Sequence, residues 1–414
     1  MGLTVVGARW DGETVGVRCE DGRIAALGAD VAAQGGDEVL DARGGHLVPP
    51  LVNGHTHAAM TLFRGSGGDL PLMPWLEERI WPIEAKLSDE DVYWGARLAC
   101  AEMIRTGTAR FWDMYWRPAA TARAVADAGI RATIGAPLFD HDGDAERMRR
   151  SALDSLEQLA EAGPLVSPAL APHSIYTVSE DSLRWIAELG AERGLPIQIH
   201  LSETEQEVQD CLAQHGARPA AYLDRLGMLN ERTVLAHGVW LDPDELELIA
   251  ARGATIVTNP AANMKLAVGG VFPYPAARTA GVSVGLGTDG AGSNDSLDLL
   301  ADLKLFALAQ KHAAGDPTAI EAAEAWEVAT GARAPLLAAN GGPEVGAPAD
   351  FLLLRADSPE LGIGDLASDL VYAASGAAVA TTVIAGRVLM RDGELEGLSE
   401  IVARAAERAT GLGL

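Results

Sequence analysis

The sequence predicts an α/β protein: a (β/α)8 TIM-type barrel over residues 51–345, and a small β-sandwich domain that residues 1–50 and 346–414 form together. Two observations predict this architecture. The middle of the chain alternates short apolar segments with helical segments rich in alanine and glutamate, which indicates a parallel sheet with helical crossovers. Both ends of the chain instead carry short apolar segments separated by Asp-Gly turns, which is typical of antiparallel hairpins.

The terminal segments are predicted from their turns. Near the N-terminus, turns at residues 11–12 and 21–22 separate three predicted strands, at residues 3–6, 14–18 and 23–27. Near the C-terminus, a turn at residues 392–393 follows the last of three predicted strands, at residues 350–354, 381–385 and 388–390. Because both β-rich ends flank one α/β body, we expect them to associate in one domain.

The body contains eight predicted strands, each followed by a helical or loop segment. They lie at residues 46–53, 108–114, 132–138, 165–171, 196–200, 233–237, 255–258 and 283–287. The helical segments include residues 179–193 and 243–252. Eight units over about 290 residues fit a closed barrel, with an open doubly wound sheet as the alternative. The Gly-x-Gly-x-x-Gly run GLGTDG at residues 285–290 begins inside a predicted strand and does not lie at a strand-to-helix turn, which argues against a dinucleotide-binding sheet.

Polar residues follow the predicted strands at or just past their C-terminal ends. They are His55, His57, Asp113, His173, His200, His237, Asn259 and Asp289. In a (β/α)8 barrel, this face carries the active site. Imidazole and carboxylate groups are the ligands of a catalytic zinc or iron ion. The sequence therefore predicts a metal site built from the ends of several strands.

Composition excludes several kinds of partner. A formal net charge of -26 argues against nucleic acid and against an anionic membrane surface. The sequence has no apolar run of about 18 residues and no basic-then-apolar secretory pattern, so we expect a cytoplasmic protein without a membrane span. The three cysteines are far apart and form no CxxC, so neither a disulfide framework nor a zinc knuckle is expected. A homo-oligomer is compatible with this composition.

The ordered histidines and aspartate resemble the amidohydrolase superfamily: HxH after strand one, histidines ending strands five and six, and aspartate after strand eight. Longer segments extend the similarity, over nearly the whole chain, to 5'-methylthioadenosine/S-adenosylhomocysteine deaminases. These segments are LVNGHTHAAM at residues 51–60, DLPLMPWL at 69–76, IWPIE at 80–84, APHSIY at 171–176, HLSET at 200–204 and NPAANMKL at 259–266. The ordered set is far more specific than HxH alone.

The resemblance implies one divalent metal ion, zinc in preference to iron, held by His55, His57, His200 and Asp289. Relatives with two ions bridge them with a carbamylated lysine that ends strand four. No lysine lies between residues 87 and 264 of this chain, so a single ion is expected. Because the histidine ligands must be neutral, activity should fall as the pH drops through the histidine range.

Three residues are predicted to carry the chemistry. The HxxE spacing beyond a strand end places Glu203 to act as general acid and base. His237 would orient the attacking water or polarise the departing amine. Asp289 could accept the proton of the water, in addition to binding the ion.

The resemblance also implies a nucleoside substrate, with Glu84 and His173 at the ribose and Glu203 at the base. A carboxylate suits a vicinal diol because it accepts two hydrogen bonds. The relatives that use S-adenosylhomocysteine carry an arginine near the end of strand three, where Ala136 is aligned here. A substitute would have to come from Arg147, Arg149 or Arg150.

The leading hypothesis is therefore hydrolytic deamination of a 6-aminopurine nucleoside with a small or neutral 5' group. The candidate substrates are adenosine, 5'-methylthioadenosine, 5'-deoxyadenosine and, less favoured, S-adenosylhomocysteine. The alternatives on the same scaffold are chlorotriazine hydrolysis and deamination of a free base such as guanine or cytosine.

Overall fold

The computed structural model describes residues 2–66, 70–140, 143–338 and 342–414; Asp69 of the 69–76 segment lies outside these ranges. The barrel strands are β6 (Leu51–Thr56), β7 (Thr108–Met114), β8 (Arg131–Leu138), β9 (Val166–Pro172), β10 (Ile197–Leu201), β11 (Thr233–His237), β12 (Thr255–Thr258) and β13 (Ser283–Leu286). The terminal strands are β1 (Leu3–Trp10), β2 (Glu13–Glu20), β3 (Arg23–Gly28), β4 (Glu38–Asp41), β5 (Leu47–Val48), β14 (Phe351–Leu354), β15 (Val379–Ile384) and β16 (Arg387–Met390).

Helices alternate with the barrel strands, and a few lie outside the barrel repeat. They are α1 (Leu72–Trp75), α2 (Trp81–Glu84), α3 (Asp89–Arg105), α4 (Pro118–Ala128), α5 (Ala145–Ala160), α6 (Glu180–Arg193), α7 (Glu205–His215), α8 (Pro219–Arg225), α9 (Pro243–Arg252), α10 (Pro260–Lys265), α11 (Tyr274–Ala280), α12 (Leu299–Ala314), α13 (Ala322–Ala329), α14 (Leu366–Ser368) and α15 (Leu398–Leu412). Shorter turns are the 3₁₀ segments Ala58–Phe63 and Gly376–Ala378 and the π turns Leu76–Ile80 and Asp369–Ala373.

The central sheet has eight strands in the order β6 to β13, and the ladders between neighbouring strands are parallel. Every residue of β10 and β11 is buried, as expected for a parallel sheet covered on both faces. The first and last strands also meet. The backbone N–H of Asp289 donates to the carbonyl of His55 (3.0 Å), and the Asn53 and Thr288 side chains are hydrogen bonded at 2.7 Å. The predicted (β/α)8 barrel is confirmed.

The N-terminal end of the barrel is filled by side chains. Val52, Val234 and Val257 pack there with Leu337, a residue of the segment that follows α13. The indole N–H of Trp112 donates to the Leu337 carbonyl at 3.4 Å. This apolar cluster therefore closes one end of the barrel, and the polar residues lie at the opposite end, where the strands have their C-terminal residues.

The two ends of the chain form two further four-stranded sheets, in the orders β3-β2-β1-β4 and β16-β15-β14-β5. The sheets share one apolar core, to which Val5 and Val17 contribute from the first sheet and Phe351 and Val383 from the second. The second sheet joins β5, which precedes the barrel, to strands that follow it. The predicted small β-sandwich from both termini is thus present.

Three details differ from the sequence analysis. The run at residues 46–53 is not one barrel strand, because prolines 49 and 50 separate β5 of the terminal sheet from β6 of the barrel. Strand β4 was not predicted. Nor was α15, which packs on the barrel: Ala405 contacts the cluster around Leu62 and Phe63, and Arg408 lies 3.8 Å from Asp91. The assignment of residues 346–414 as a whole to the small domain remains a prediction.

Among the described residues, the structure contains no helix with the length and apolar character that crossing a membrane requires.

Candidate metal centre and active site

Four buried side chains converge at the C-terminal end of the barrel. His55 of β6, His200 of β10, His237 of β11 and Asp289 after β13 place their potential ligand atoms within 4.8 Å of one another. Within the described part of the chain, both ring nitrogens of His55 and the Asp289 Oδ1 are buried without a hydrogen-bond partner. Because unpaired buried polar atoms are costly, this arrangement fits a group that holds a cation. The four residues form a metal-binding group.

His57 lies at the edge of this group. Its Nε2 is 3.1 Å from Asp289 Oδ1, the oxygen that His55 Nε2 approaches at 3.3 Å. The predicted ligand set contains His57, whereas the group of four whose ligand atoms all lie within 4.8 Å of one another contains His237 instead. Both histidines border the same space, and the assignment of His57 as a ligand remains a prediction.

Hydrogen bonds from outside the centre fix the orientation of three histidine rings. Nδ1 of His200 donates to the His173 carbonyl at 2.7 Å, and Nδ1 of His57 donates to the Met114 carbonyl. Nδ1 of His237 donates to Asn263 Oδ1 at 2.8 Å. In a neutral ring, donation from Nδ1 leaves the lone pair on Nε2, which is the tautomer a metal ligand needs.

Charge is distributed unevenly over the centre. Burial lowers the pKa of His55 to about 4 and holds the pKa of His200 well below its usual range. Burial acts in the same direction on His57, but the contact with Asp289 outweighs it and raises the pKa of His57 to about 9. Burial would raise the pKa of Asp289, yet His55 and His57 bring it well below its usual range. Without a cation, the centre thus retains one proton between His57 and Asp289.

The backbone is strained where three strand ends present these residues. Ser202, His237 and Asp289 have φ values of 49°, 75° and 59°, in the left-handed region that non-glycine residues rarely adopt. Such conformations persist only where the surrounding structure enforces them, and they concentrate at functional sites. Each of the three turns directs the chain so that a polar side chain enters the barrel mouth.

A pocket of about 810 Å³, including its open mouth, lies above the centre. Its floor contains His57, His200, His237 and Asp289, and His55 is fully buried beneath. The remaining predicted site residues also line it: Glu84, His173 and Glu203. The structure therefore brings the predicted catalytic, substrate-binding and metal-binding residues to one place.

Glu203 enters the pocket from the turn after β10 and is 5% exposed. Burial raises the pKa of its carboxyl, and His237, whose Nδ1 is 3.8 Å from Glu203 Oε1, opposes this rise. Within the described ranges, its carboxyl accepts no hydrogen bond. A buried carboxyl with a raised pKa is suited to carry a proton near neutral pH.

Glu84 reaches the opposite wall from an unusual helical segment. The π turn Leu76–Ile80 joins helices α1 and α2. The residues of this segment that line the pocket include Trp75, Ile80, Trp81 and Glu84. Such π turns are frequent at functional sites. The indole N–H of Trp116 donates to Glu84 Oε2 at 3.2 Å, and burial raises the pKa of this carboxyl.

Aromatic rings and His173 form the side wall. Phe139 packs against Trp81, Trp116 and His173, with ring centroids 6.0, 6.2 and 5.6 Å apart. Burial lowers the pKa of His173 to about 3, and its Nδ1 is hydrogen bonded to Thr177 Oγ1 at 2.8 Å. His173 is therefore neutral at physiological pH, in a wall that suits a flat, uncharged ligand.

Three residues that hold candidate site side chains in place were not predicted from the sequence. Asn263 orients His237, Ser293 donates to Asp289 Oδ2 at 2.5 Å, and Trp116 holds Glu84. Pro260 at the first turn of α10 was a signal, because a helix that begins there places Asn263 one turn later. Asp113, predicted as a strand-end residue, does not line the pocket; its Oδ1 accepts from the Ala58 N–H at 2.7 Å and so supports the turn after His57.

Ala136 has a different position from the one expected of a pocket residue. It is fully buried in the apolar core around the barrel, and the pocket wall at the end of β8 is formed by Pro137, Leu138 and Phe139. None of these side chains can bind a carboxylate.

Comparisons with known proteins agree with this site. Residues 46–389 match the Amidohydrolase family. A 5'-deoxyadenosine deaminase of Methanoregula boonei is 47% identical over 380 residues, which cover 90% of this chain and 86% of that protein. A 5-methylthioadenosine/S-adenosylhomocysteine deaminase of Archaeoglobus fulgidus is 40% identical, with 94% and 96% covered.

Among solved structures, an adenosine deaminase from Xanthomonas campestris with bound zinc superposes with a TM-score of 0.93 at 34% identity, with 99% of this chain and 98% of that chain covered. An atrazine chlorohydrolase from Arthrobacter aurescens with zinc has the same fold, with a TM-score of 0.89 at 24% identity and 98% and 100% covered. The sequence match over most of the chain and the histidine–aspartate centre lead to one conclusion: the chain belongs to the amidohydrolase family.

Proposed function

We propose that this protein hydrolyses the 6-amino group of an adenine nucleoside, consuming one water and releasing ammonia and the inosine analogue. The observation that carries the proposal is the position of Glu203. This buried carboxyl with a raised pKa lies between the histidine–aspartate centre and a pocket whose far wall holds Glu84. The relatives named as 5'-deoxyadenosine and 5-methylthioadenosine/S-adenosylhomocysteine deaminases support the same class of substrate.

The cofactor in this proposal is one divalent ion, with zinc preferred over iron. His55, His200 and Asp289 would hold it, together with His57, as the sequence predicts, or with His237, whose ligand atom lies within 4.8 Å of those of the other three. A divalent ion with such ligands lowers the pKa of a bound water toward neutrality and so supplies hydroxide. The zinc in the Xanthomonas campestris structure supports the choice of metal.

The side chains of this chain would move the protons. Glu203 delivers a proton to the ring nitrogen beside the carbon that loses its amino group. Asp289, kept ionised by its two histidine neighbours, accepts a proton from the attacking water. His237, oriented by Asn263, aligns the attack and polarises the departing amine. The protons balance, because one of the two water protons is matched by the proton that stays on the ring nitrogen of the product and the other leaves with the amino group as ammonia, which returns Glu203 and Asp289 to their starting states.

The far wall would bind the sugar. Glu84 accepts hydrogen bonds from the two ribose hydroxyls, since one carboxylate can accept from both. His173 contacts the sugar region through the nitrogen that Thr177 leaves free. The aromatic wall around Phe139 covers the flat, uncharged part of the nucleoside.

We infer that small or neutral 5' groups are preferred over the amino-acid group of S-adenosylhomocysteine. The end of β8 contributes no cationic side chain to the pocket. Arg149 donates to Ser182 at 2.9 Å, and Arg150 pairs with Glu146 at 2.5 Å. Arg147 lines a neighbouring cavity that shares Glu84 and Phe139 with the pocket, so of these three arginines it is the one placed to reach a longer substrate.

The test is ammonia release from purified, zinc-loaded protein with adenosine, 5'-methylthioadenosine, 5'-deoxyadenosine, S-adenosylhomocysteine, guanine, cytosine and a chlorotriazine. We expect turnover of the adenine nucleosides, the first three ahead of S-adenosylhomocysteine. Activity on triazines or free bases alone would exclude the nucleoside function.

The role of Glu203 is tested with Glu203→Gln, which keeps the size of the side chain and removes the titrating group. Loss of general acid–base catalysis should lower kcat by about 10² to 10⁴ with metal content unchanged. Glu205→Gln is the matched control, because Glu205 is an exposed glutamate two residues further on. Near wild-type turnover of Glu203→Gln would contradict the assigned role.

A further inference from the structure

The turn that presents Glu203 is short and strained. Strand β10 ends at Leu201, Ser202 takes up a left-handed conformation with φ 49°, and Glu203 then points into the pocket. Thr204 caps α7 by accepting from the Glu207 N–H at 3.2 Å. Since no hydrogen bond within the described ranges holds the Glu203 carboxyl, its position depends on the backbone of this turn.

The backbone of this turn is held by a buried carboxylate. Glu207, in the first turn of α7, accepts from the Ser202 N–H through Oε1 at 2.8 Å and from the Glu203 N–H through Oε2 at 2.9 Å. Glu207 is 7% exposed. Both oxygens of the carboxylate are thus engaged by the two residues that form the strained turn.

Two other helices of the chain show that this is not an ordinary helix cap. In α3 and α9, the carboxylate at the third helical position, Asp91 or Glu245, accepts from the N–H of its own capping residue, Ser88 or Asp242. That arrangement is the common capping box. Glu207 has the same position in α7, but its carboxylate reaches past Thr204 to the two preceding N–H groups. The carboxylate is therefore used to hold the Glu203 turn.

The opposite side of the turn is fixed as well. The Ser202 carbonyl accepts from the Trp240 N–H at 2.9 Å, and the Leu201 carbonyl accepts from the Gly238 N–H at 3.0 Å. These bonds tie the turn to the segment that follows His237. With Glu207 on one side and this segment on the other, the strained conformation is enforced from two directions, as such conformations require.

We propose that Glu207 is a positioning residue, which sets the place of Glu203 in the pocket by binding the backbone of the Ser202–Glu203 turn. This inference rests on the proposed function, since it assigns Glu207 a part in the proton transfer that Glu203 carries out. Glu207 acts through Glu203 and touches no reacting atom.

The kinetic test is a double-mutant cycle. Glu207→Gln keeps the size of the side chain but replaces one acceptor oxygen with an NH₂ group, so one of the two backbone bonds is lost. A displacement of about 1 Å can cost about 10² in rate, so we expect kcat to fall by about 10- to 100-fold with KM nearly unchanged. Glu203→Gln combined with Glu207→Gln should lose little more than Glu203→Gln alone, because residues that act as a unit are not additive.

If Glu207 had a merely structural role, the reductions in kcat of Glu203→Gln and Glu207→Gln would multiply in the double variant. Multiplying losses, or wild-type kcat for Glu207→Gln, would overturn the proposal. Glu205→Gln, an exposed change in the same helical turn, should retain wild-type kcat.

Hydrogen exchange tests the contact independently of activity. The amides of Ser202 and Glu203 should be protected in the native, zinc-loaded protein and should lose protection in Glu207→Gln, with thermal unfolding showing that the variant is folded. Unchanged protection would overturn the proposal even in an active enzyme. Absence of deaminase activity in the wild-type protein would instead reject the proposed function, and the exchange result would still decide whether Glu207 holds the turn.

Discussion

Replacing Trp116 with phenylalanine should weaken the binding of the ribose by Glu84 and leave the other contacts of the pocket unchanged. The indole N–H donates to Glu84 Oε2 at 3.2 Å, and the ring packs on Phe139 with centroids 6.2 Å apart. Phenylalanine keeps an aromatic ring at this position and removes the N–H. A hydrogen bond to a charged group contributes about 1.5 to 3 kcal/mol, and about 1.4 kcal/mol corresponds to a factor of ten. We therefore expect kcat/KM for a substrate with ribose hydroxyls to fall by about 10- to 100-fold, because Glu84 no longer binds them as well.

The same change has a pH signature. Burial raises the pKa of Glu84, and the bond from Trp116 opposes that rise because it favours the ionised carboxylate. Without the N–H, the carboxyl takes up a proton at higher pH and ceases to accept from both hydroxyls. The acid limb of kcat/KM for adenosine should consequently move to higher pH in Trp116→Phe.

The assay compares adenosine with 2',3'-dideoxyadenosine, which offers Glu84 no hydroxyl donor. We expect the preference of the wild-type enzyme for adenosine to shrink by about 10- to 100-fold in Trp116→Phe, with dideoxyadenosine barely affected. Trp185→Phe is the control. Trp185 is a residue of α6 that packs against Arg149 of α5, and it does not line the pocket. An equal loss for both nucleosides would refute the assignment of Glu84 to the ribose.

Two further predictions follow from charge and packing. Because Asp289 raises the pKa of His57 to about 9, metal binding below that pH must release a proton from His57. Zinc affinity, measured by chelator competition, should therefore rise about tenfold per pH unit between about pH 6.5 and 8.5. An affinity that does not change with pH would contradict the release of this proton. A Cβ on Gly95 of α3 would lie 2.5 Å from the Ala59 carbonyl oxygen, so Gly95→Ala should lower the free energy of unfolding by about 1 to 3 kcal/mol in urea titrations. Gly411 of α15 has open space around its Cβ position, so Gly411→Ala should be neutral or stabilising by up to about 1 kcal/mol, and equal destabilisation by the two changes would refute the packing argument.

The barrel could be predicted because its signal is local and repeated. Strand β11 has the predicted bounds, residues 233–237, and helix α9 has the predicted bounds, residues 243–252. The strands are short apolar runs, and helices such as α9 begin at a recognisable cap, here Asp242. The histidines were recognisable for the same reason, since the end of a strand fixes which face of the barrel a residue reaches.

What the sequence did not reveal depends on contacts between distant segments. The bond between His237 and Asn263 joins the end of β11 to α10, 26 residues further along the chain. The π turn before Glu84 is a change in backbone hydrogen bonding, which side-chain periodicity does not record. The amphipathic helix α15 was visible in principle, because Ile401 and Ala405 face inward four residues apart, but its docking on the barrel requires the tertiary structure.

The pKa values of Glu203 and Asp289 differ because the two carboxyls have different neighbours. Glu203 and Asp289 are both 5% exposed, so burial alone would raise both pKa values. Asp289 faces His55 and His57 at 3.3 and 3.1 Å, and these contacts hold its pKa well below the usual range. Glu203 has His237 at 3.8 Å, a weaker contact, and its pKa stays raised. The pKa values of two carboxyls of equal burial thus shift in opposite directions, which is the difference that our proposal requires of a charged ligand, Asp289, and a proton carrier, Glu203.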